Sequence, residues 1–389
     1  MKLISYRVQQ HFGKATGYAG QDLKELLSCL PLISKADLIK QSQENTDSML
    51  REAILFSETS GTTSTPLQTP RSKHDLNWNV LNQINAYKPL IQAGVDRVCV
   101  LHPSILSPFI EGSSRALHEL GVGHVRLYPI PKVCDYKRMY DVIDRYRITT
   151  IMSTPSLIYK TLYEFKKIGS GKLPVSLRKI LVTGERFSIE NLFNMRRILG
   201  DDSFITPFVY GSSETATIMI GEPNGTYRPI LEDFVFEIIG KEQKDSSSIT
   251  GNLLVTWLRG GMLPIIRYDT GDIFTAQRPN QNFNYTFHFE GRADKGGFSI
   301  DQQKIIEKIV YSQPAPIFHF DCITDFSKKK LTLSVITHSS DSINSTIIGN
   351  QITDALGDNW MCSVNLNPEN HIFQDFSPSP KMRKFYYAK

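Results

Sequence analysis

The chain has 389 residues, 40% of them hydrophobic and 21% charged, an ordinary balance for a globular protein with room for two or three domains. Its formal charge of +5 is modest and spread along the chain, which suits an anionic small ligand at least as well as nucleic acid. No apolar run reaches the ~20 residues of a membrane helix, and Cys29, Cys99, Cys134, Cys322 and Cys362 lack the spacing of a disulfide framework or a zinc site.

Taken in order, the start Met1 to Arg7 has too short an apolar segment for a signal peptide, so a cytoplasmic protein without membrane or nucleic-acid partners is expected. The first informative stretch is Phe56-Ser57-Glu58-Thr59-Ser60-Gly61-Thr62-Thr63-Ser64-Thr65-Pro66, directly after the apolar run Ala53 to Phe56. It reads as a buried strand running into an exposed loop. Gly61 permits positive φ, so that successive N–H groups can turn towards one anion. The hydroxyls add small donors suited to phosphate oxygens. The stretch lacks the lysine of the G-x-x-x-x-G-K-[ST] loop, and by itself it reads equally as a Ser/Thr-rich surface turn.

From Arg97 to Val209 short apolar runs alternate with amphipathic stretches. Val98 to Leu101, Val125 to Tyr128, Thr150 to Met152, Ile180 to Val182 and Phe204 to Val209 read as strands. Ser113 to Leu120, Tyr136 to Tyr146, Ser156 to Lys167 and Ile189 to Leu199 have helical spacing. This alternation predicts a mostly parallel sheet covered on both faces, with ligand sites in loops at the carboxyl ends of strands. The hydroxyl stretch and Tyr210 to Thr215 are expected at two such positions.

Near Gly225 helices give way to the strand-like runs Phe234 to Ile239, Gly251 to Leu258, Pro264 to Phe274 and Asn284 to Phe289. A charged, glycine-rich segment, Gly291-Arg292-Ala293-Asp294-Lys295-Gly296-Gly297, then suits a hinge. Beyond it, a helix over Gln302 to Tyr311, strands over Ile317 to Ile323 and Leu331 to Thr337, a helix over Ile343 to Leu356 and a strand over Cys362 to Leu366 predict a small α+β domain. The fold class expected is thus α/β: a large N-terminal domain (1–292, with a β-rich subdomain from about 225) and a small mobile C-terminal domain (293–389). The basic, aromatic end Lys381 to Tyr387 reads as a solvated tail.

Five elements stand out in sequence: the hydroxyl loop, Leu181-Val182-Thr183-Gly184-Glu185-Arg186-Phe187, Val209-Tyr210-Gly211-Ser212-Ser213-Glu214-Thr215, Arg267-Tyr268-Asp269-Thr270-Gly271-Asp272, and the linker with Arg292 and Asp294. Singly, each also reads as a turn or a core residue. In this order and separation they resemble the adenylate-forming superfamily of acyl-CoA synthetases, aryl-acid ligases and nonribosomal-peptide adenylation domains. The short segment before the first motif looks most like the compact phenylacetate–CoA ligase branch.

That resemblance implies residue roles. Thr59, Ser60, Gly61, Thr62 and Thr63 would hold the β- and γ-phosphates of ATP, and Gly184 and Glu185 would border the adenine. Tyr210 would stack on that base, with Gly211 and Ser212 beside it in the nucleotide site, and Glu214 would ligate Mg²⁺. Asp272, helped by Arg292, would accept from the ribose hydroxyls, and Asp294 would be the hinge. Ser379-Pro380-Lys381-Met382-Arg383-Lys384 resembles the family's C-terminal lysine motif, with proline for glycine and lysine for arginine. It makes Lys381 the catalytic residue and Lys384 its neighbouring substitute. Ser64 and Leu67 depart from the usual phosphate loop, and the segment after Asp294 is shorter than usual.

The activity implied is ATP-dependent ligation of a small carboxylic acid, through an acyl adenylate, to the thiol of CoA or of phosphopantetheine on an acyl carrier protein. His102 to Phe109, Thr154 to Ser156 and Ala216 to Ile220 would line the acid pocket. Their small and apolar side chains favour an aryl or short acyl acid. An amide-forming ligase shares the first half-reaction, and a non-catalytic nucleotide- or partner-binding homologue would explain Ser64 and Leu67.

Overall fold

A computed structural model describes residues 27–59, 65–102, 107–242, 248–259, 261–263, 265–277, 285–292, 297–357, 359–369, 371, 373, 375 and 382–387. Near the start, α1 (Lys35–Glu44) and α2 (Thr46–Glu52) lead into β1 (Ala53–Leu55), which pairs antiparallel with β2 (Arg71–Ser72). Helix α3 (Lys73–Tyr87) follows at once, started by a capping box between Ser72 and Asp75.

The parallel layer contains β3 (Val98–Leu101), α4 (Pro108–Glu119), β4 (His124–Leu127), α5 (Tyr136–Arg145), β5 (Thr150–Ser153), α6 (Pro155–Ile168), β6 (Lys179–Val182), α7 (Ile189–Leu199) and β7 (Phe204–Pro207). Its strands run β4-β3-β5-β6-β7, and every pairing is parallel. β3 and β5 are buried at every residue, as strands covered on both faces must be. Pro108 and Pro155 each open a helix, where a missing N–H costs no hydrogen bond.

The antiparallel layer comprises β8 (Val209–Ser212), β9 (Ala216–Gly221), β10 (Tyr227–Pro229), β11 (Phe234–Glu242), β12 (Ser248–Trp257), β13 (Tyr268–Gln277) and β14 (Thr286–Gly291), ordered β11-β12-β13-β14-β10-β9-β8. The C-terminal part has α8 (Ile300–Tyr311), β15 (Ile317–Asp325), β16 (Lys330–Thr337), α9 (Ser345–Leu356), β17 (Met361–Leu366) and β18 (Phe385–Tyr387), with strand order β17-β16-β15-β18. The expected mixed α/β fold class is therefore what the chain adopts. Among the described residues, no helix is long and apolar enough to cross a membrane.

Four local expectations are corrected. The run Phe204 to Val209 is not one strand. It divides at Phe208, β7 ending the parallel sheet and β8 opening the antiparallel one. Pro207, with no N–H to donate, closes the first of these. The strand before the hydroxyl stretch is not buried either: β1 is half exposed and belongs to a separate hairpin, with Ile54 and Phe56 turned outwards. Tyr210 to Ser212 lie within a strand rather than in a loop. The expected solvated tail ends in β18, whose Phe385 is buried and pairs in parallel with Cys322.

Two apolar cores result. One joins the N-terminal helices, one face of the parallel sheet and the antiparallel layer. The other joins the opposite face of the parallel sheet to the C-terminal part. The seam between these last two is packed and hydrogen-bonded. Tyr159 stacks on Tyr311, with ring centroids 6.0 Å apart, and Tyr163 meets Phe318 and Phe373 edge-on. Asn194 Nδ2 donates to the Ile317 carbonyl at 2.7 Å, and buried Lys160 donates to Glu164 and to the Phe373 carbonyl.

Candidate active site

The hairpin that carries the hydroxyl stretch is closed by paired backbone. Thr59 N–H donates to the Leu67 carbonyl at 3.0 Å, and Leu67 N–H donates to Thr59 Oγ1 at 3.0 Å. Leu67, a departure from the resembled motif, is fully buried, so its apolar side chain anchors the hairpin in the core. Below it, Thr69 N–H donates to the Ser57 carbonyl at 2.7 Å. Ser60, Gly61, Thr62 and Thr63 lie outside the described residues.

At the base of the hairpin, buried Arg71 extends its guanidinium to the carbonyls of Ser213 and Glu214. It thereby fastens the hairpin to the β8–β9 turn. That turn is stitched by reciprocal bonds: Ser212 N–H to Thr215 Oγ1 and Thr215 N–H to Ser212 Oγ, both 3.1 Å. Gly211 is required here, because a Cβ on it would stand 1.9 Å from the Ala216 carbonyl oxygen. Ala216 itself sits at φ 62°, a left-handed conformation costly for a residue with a side chain. Glu214 is thus held in a tight, strained turn.

Asp272 occupies a bulge. Leu254 pairs with Asp269 and Asn252 with Ile273, so Thr270, Gly271 and Asp272 all stand opposite Leu253. Bulges re-aim side chains beside functional sites. Gly271 takes φ 69°, and the turn is held by Gly271 N–H to Asp269 Oδ1 at 2.9 Å and Asp272 N–H to Thr270 Oγ1 at 3.2 Å.

The two strands meet through their aromatic hydroxyls. Tyr210 donates to Asp272 Oδ2 at 2.6 Å, and Tyr268 donates to Glu214 Oε1 at 2.8 Å. Arg292, just past β14, donates through Nε to Asp272 Oδ1. Glu214 and Asp272 are only 6% and 7% exposed, so both carboxylates sit at the base of the site with fixed donors. Burial, and then the neighbouring carboxylate charge, push both tyrosine hydroxyls above their ordinary range, so each remains a donor at neutral pH. Asp272 holds the Arg292 guanidinium above its ordinary value.

Of the residues singled out from sequence, the structure brings Tyr210, Gly211, Ser212, Glu214, Asp272 and Arg292 into this one assembly. Tyr210 is mostly enclosed, its ring edge-on to Phe274 at 4.8 Å and tilted against Phe289 at 5.5 Å. Gly184 turns at φ 80°, and Glu185 Oε2 accepts from Ser156 N–H (3.0 Å) and Oγ (2.7 Å) at the start of α6. Thr183 Oγ1 donates to the Val209 carbonyl at 2.7 Å, tying this turn to β8. Lys381 and Asp294 lie outside the described residues. Its substitute Lys384 instead pairs with Glu307 at 2.9 Å within the seam.

Two residues of the assembly escaped the sequence reading. Tyr268 lies four before Asp272, inside a motif already singled out, and was legible as a second polar aromatic there. Arg71 carries no local signal at all. Of the segments expected to line an acid pocket, 103–106 lie outside the described residues, His102 and Thr154 directly follow the paired strands β3 and β5, Ala216 to Ile220 are buried in β9, and the His102 ring packs 5.1 Å from Phe109. A cleft of about 570 Å³ opens beside the assembly, lined by Arg186, Phe187, Ile189, Phe289, Glu290 and Lys304 among others. It contains neither carboxylate, and Phe289 lies between it and Tyr210.

No family profile and no curated protein matches the sequence. Solved structures do match its fold. 2-Hydroxyisobutyryl-CoA ligase in the postadenylation state, in complex with 2-HIB-AMP, superposes with a TM-score of 0.77 at 15% identity, over 100% of this chain and 88% of that one. The same ligase in the thioesterification state, with 2-HIB-AMP and CoA, gives 0.61 at 15% identity, over 99% and 89%. O-succinylbenzoate coenzyme A synthetase from Bacillus subtilis, in complex with ATP and magnesium ion, gives 0.52 at 15% identity, over 80% and 65%. The chain thus has the fold of adenylate-forming ligases, the superfamily its motifs resemble. The first two are one protein in two states, and this chain superposes better on the first.

Proposed function

We propose that the chain is an ATP-dependent acid–thiol ligase. It would join a small aryl or short acyl carboxylic acid to ATP as an acyl adenylate, then pass the acyl group to the thiol of CoA or of a carrier-protein phosphopantetheine. The observation that carries this reading is the pair of buried carboxylates, Asp272 and Glu214, each held by a tyrosine hydroxyl on bulged strands of one sheet. It sits in a chain whose whole length follows the fold of a CoA ligase.

The free acceptor sites suit a nucleotide. An ionised carboxylate has about four lone-pair sites. Asp272 engages Tyr210 and Arg292, and keeps capacity for both hydroxyls of a ribose. Glu214 offers a single buried carboxylate with one oxygen already oriented by Tyr268. That fits Mg²⁺, which takes few protein ligands and completes its shell with phosphate oxygens and water. When bound, the ion would neutralise phosphate charge. Thr59 to Thr63 would receive the β- and γ-phosphates, and Gly184, Glu185, Tyr210, Gly211 and Ser212 would surround the adenosine.

In the first step a carboxylate oxygen of the acid attacks the α-phosphorus of ATP, and the bond to the bridging oxygen breaks to release pyrophosphate. Lys381 would stabilise charge at that phosphorus. In the second step the thiol sulfur attacks the acyl carbon, AMP leaves, and the thiol proton passes to solvent. A turn of the C-terminal part about Asp294 between the steps would withdraw Lys381 and admit the thiol while keeping water from the adenylate. The decisive test is acid-dependent ATP–pyrophosphate exchange over a panel of aryl, fatty and amino acids, with hydroxylamine trapping. Absence of exchange with every acid in the panel, despite measurable ATP binding, would refute the reading.

A further inference from the structure

The two groups proposed to meet the ATP phosphates come from segments far apart in the chain. The hydroxyl stretch belongs to the hairpin closed by Thr59 with Leu67 and by Ser57 with Thr69, whereas Glu214 stands on the β8–β9 turn. Arg71 spans the distance between them. It follows the hairpin directly, on β2 opposite Leu55 of β1. From there its Nη2 donates to the Ser213 carbonyl and, at 3.4 Å, to the Glu214 carbonyl.

That placement is costly. The side chain is 2% exposed, and a buried charge is normally paired in contact. Among the described residues no carboxylate forms an ion pair with Arg71, and Asp75 and Glu214 act on its charge only from a distance. Asp75 is committed elsewhere, since its Oδ2 accepts the N–H groups of Ser72 at 3.1 Å and Met262 at 3.3 Å. The guanidinium thus spends its hydrogen bonds on two backbone carbonyls of one turn. That turn is the strained one, with Ala216 at φ 62°. Strain of this kind persists only where the surroundings over-determine it. Arg71 fixes the backbone of Glu214, and Tyr268 fixes its carboxylate.

We propose that Arg71 is a positioning residue for the triphosphate of ATP. It sets the spacing between the hydroxyl hairpin and the Glu214 carboxylate, so that one magnesium–triphosphate group can reach both. The inference rests on the ligase reading and deepens it at the same site. The adenosine end does not depend on this clamp, because Asp272 is held by Tyr210 and Arg292. Loss of Arg71 should therefore weaken triphosphate binding and spare the nucleoside, whereas a merely structural residue would weaken both together.

The test reads binding rather than turnover. Calorimetry on the full chain, with Mg²⁺ and no acid, compares the non-hydrolysable α,β-methylene analogue of ATP with AMP. Arg71→Lys keeps the charge and loses the planar fork. It should bind the analogue about 10–100-fold more weakly, and AMP within about twofold of the unmodified chain. Equal losses for both nucleotides, or no loss for either, would overturn the inference while leaving the ligase reading standing. Binding of neither nucleotide by the unmodified chain would overturn both. Should Arg71→Lys not fold, hydrogen exchange on the unmodified chain decides. The analogue with Mg²⁺ should protect the amides of residues 57–69 and 212–216 together, and AMP should leave 57–69 exchanging as in the free chain. Protection of one segment by the analogue without the other would mean that Arg71 does not couple them, and would equally overturn the inference.

Discussion

Asp272 and Glu214 are each held by a tyrosine that lies on a different strand, so neither carboxylate is oriented by its own neighbours in sequence. On the proposed function, Asp272→Ala removes the residue that would accept from the ribose hydroxyls. The loss of charge-assisted bonds worth about 1.5–3 kcal/mol corresponds to roughly 10–150-fold in kcat/KM for ATP. Unchanged ATP use by the variant would take Asp272 out of the site. Tyr268→Phe leaves Glu214 unsupported, and should reduce exchange about tenfold with a raised Mg²⁺ requirement. An identical Mg²⁺ titration would mean that Glu214 does not hold the ion. Lys381→Ala should cost about 10²–10³ in exchange while leaving thiol transfer from a synthetic acyl adenylate intact. Equal loss in both steps would contradict a lysine that leaves between them. At this scale Asp272 and Glu214 were legible only because five motifs stand in the order of the resembled superfamily; singly, each reads as a turn. Arg71 was not, because its work is to reach carbonyls 142 residues away.

Individual elements depart from their sequence signals where two sheets compete for one stretch of chain. Phe204 to Val209 is apolar but for Thr206 and reads as one strand, yet its two halves pair with different layers. Hydrophobic pattern reports burial, not which partner a strand finds. The C-terminal Phe385–Tyr387 illustrates the converse: a basic, aromatic end becomes the edge strand of a sheet because β15 offers it backbone partners. Phe385 is buried against Phe298 and Phe320, with ring centroids 6.3 and 5.9 Å away. Phe385→Ala should therefore destabilise the C-terminal part by about 3 kcal/mol, read from urea unfolding. A change below about 0.5 kcal/mol would mean that this strand does not dock in solution.

On the scale of the whole molecule, Glu307 joins the two halves. It is buried, pairs with Arg186 from the parallel layer, and accepts from Lys384 beside β18. Burial alone would raise its pKa, but Lys384 and Arg186 outweigh that and hold it below the ordinary glutamate value. A depressed carboxylate stabilises fully above its unfolded pKa and loses that contribution as pH falls through the folded one. The seam should thus be intact at neutral pH and loosen on acidification below about pH 4.5. Small-angle scattering would register this as a larger radius of gyration, and Glu307→Gln should show the larger radius already at pH 7. If both chains keep one radius throughout, the apolar rings hold the seam without this triad.

What the residues determined alone was the succession of layers and which polar groups stand in the Tyr210, Glu214, Asp272 and Arg292 assembly. The layers follow from local periodicity, and the polar groups from the order of motifs that resembles the adenylate-forming superfamily. The tertiary structure alone decided where Phe204 to Val209 divides, that β1 lies in an outer hairpin, and that Arg71 and Tyr268 complete the assembly. These depend on contacts between segments far apart in the chain, and the free energy of such contacts leaves no periodic trace in either segment.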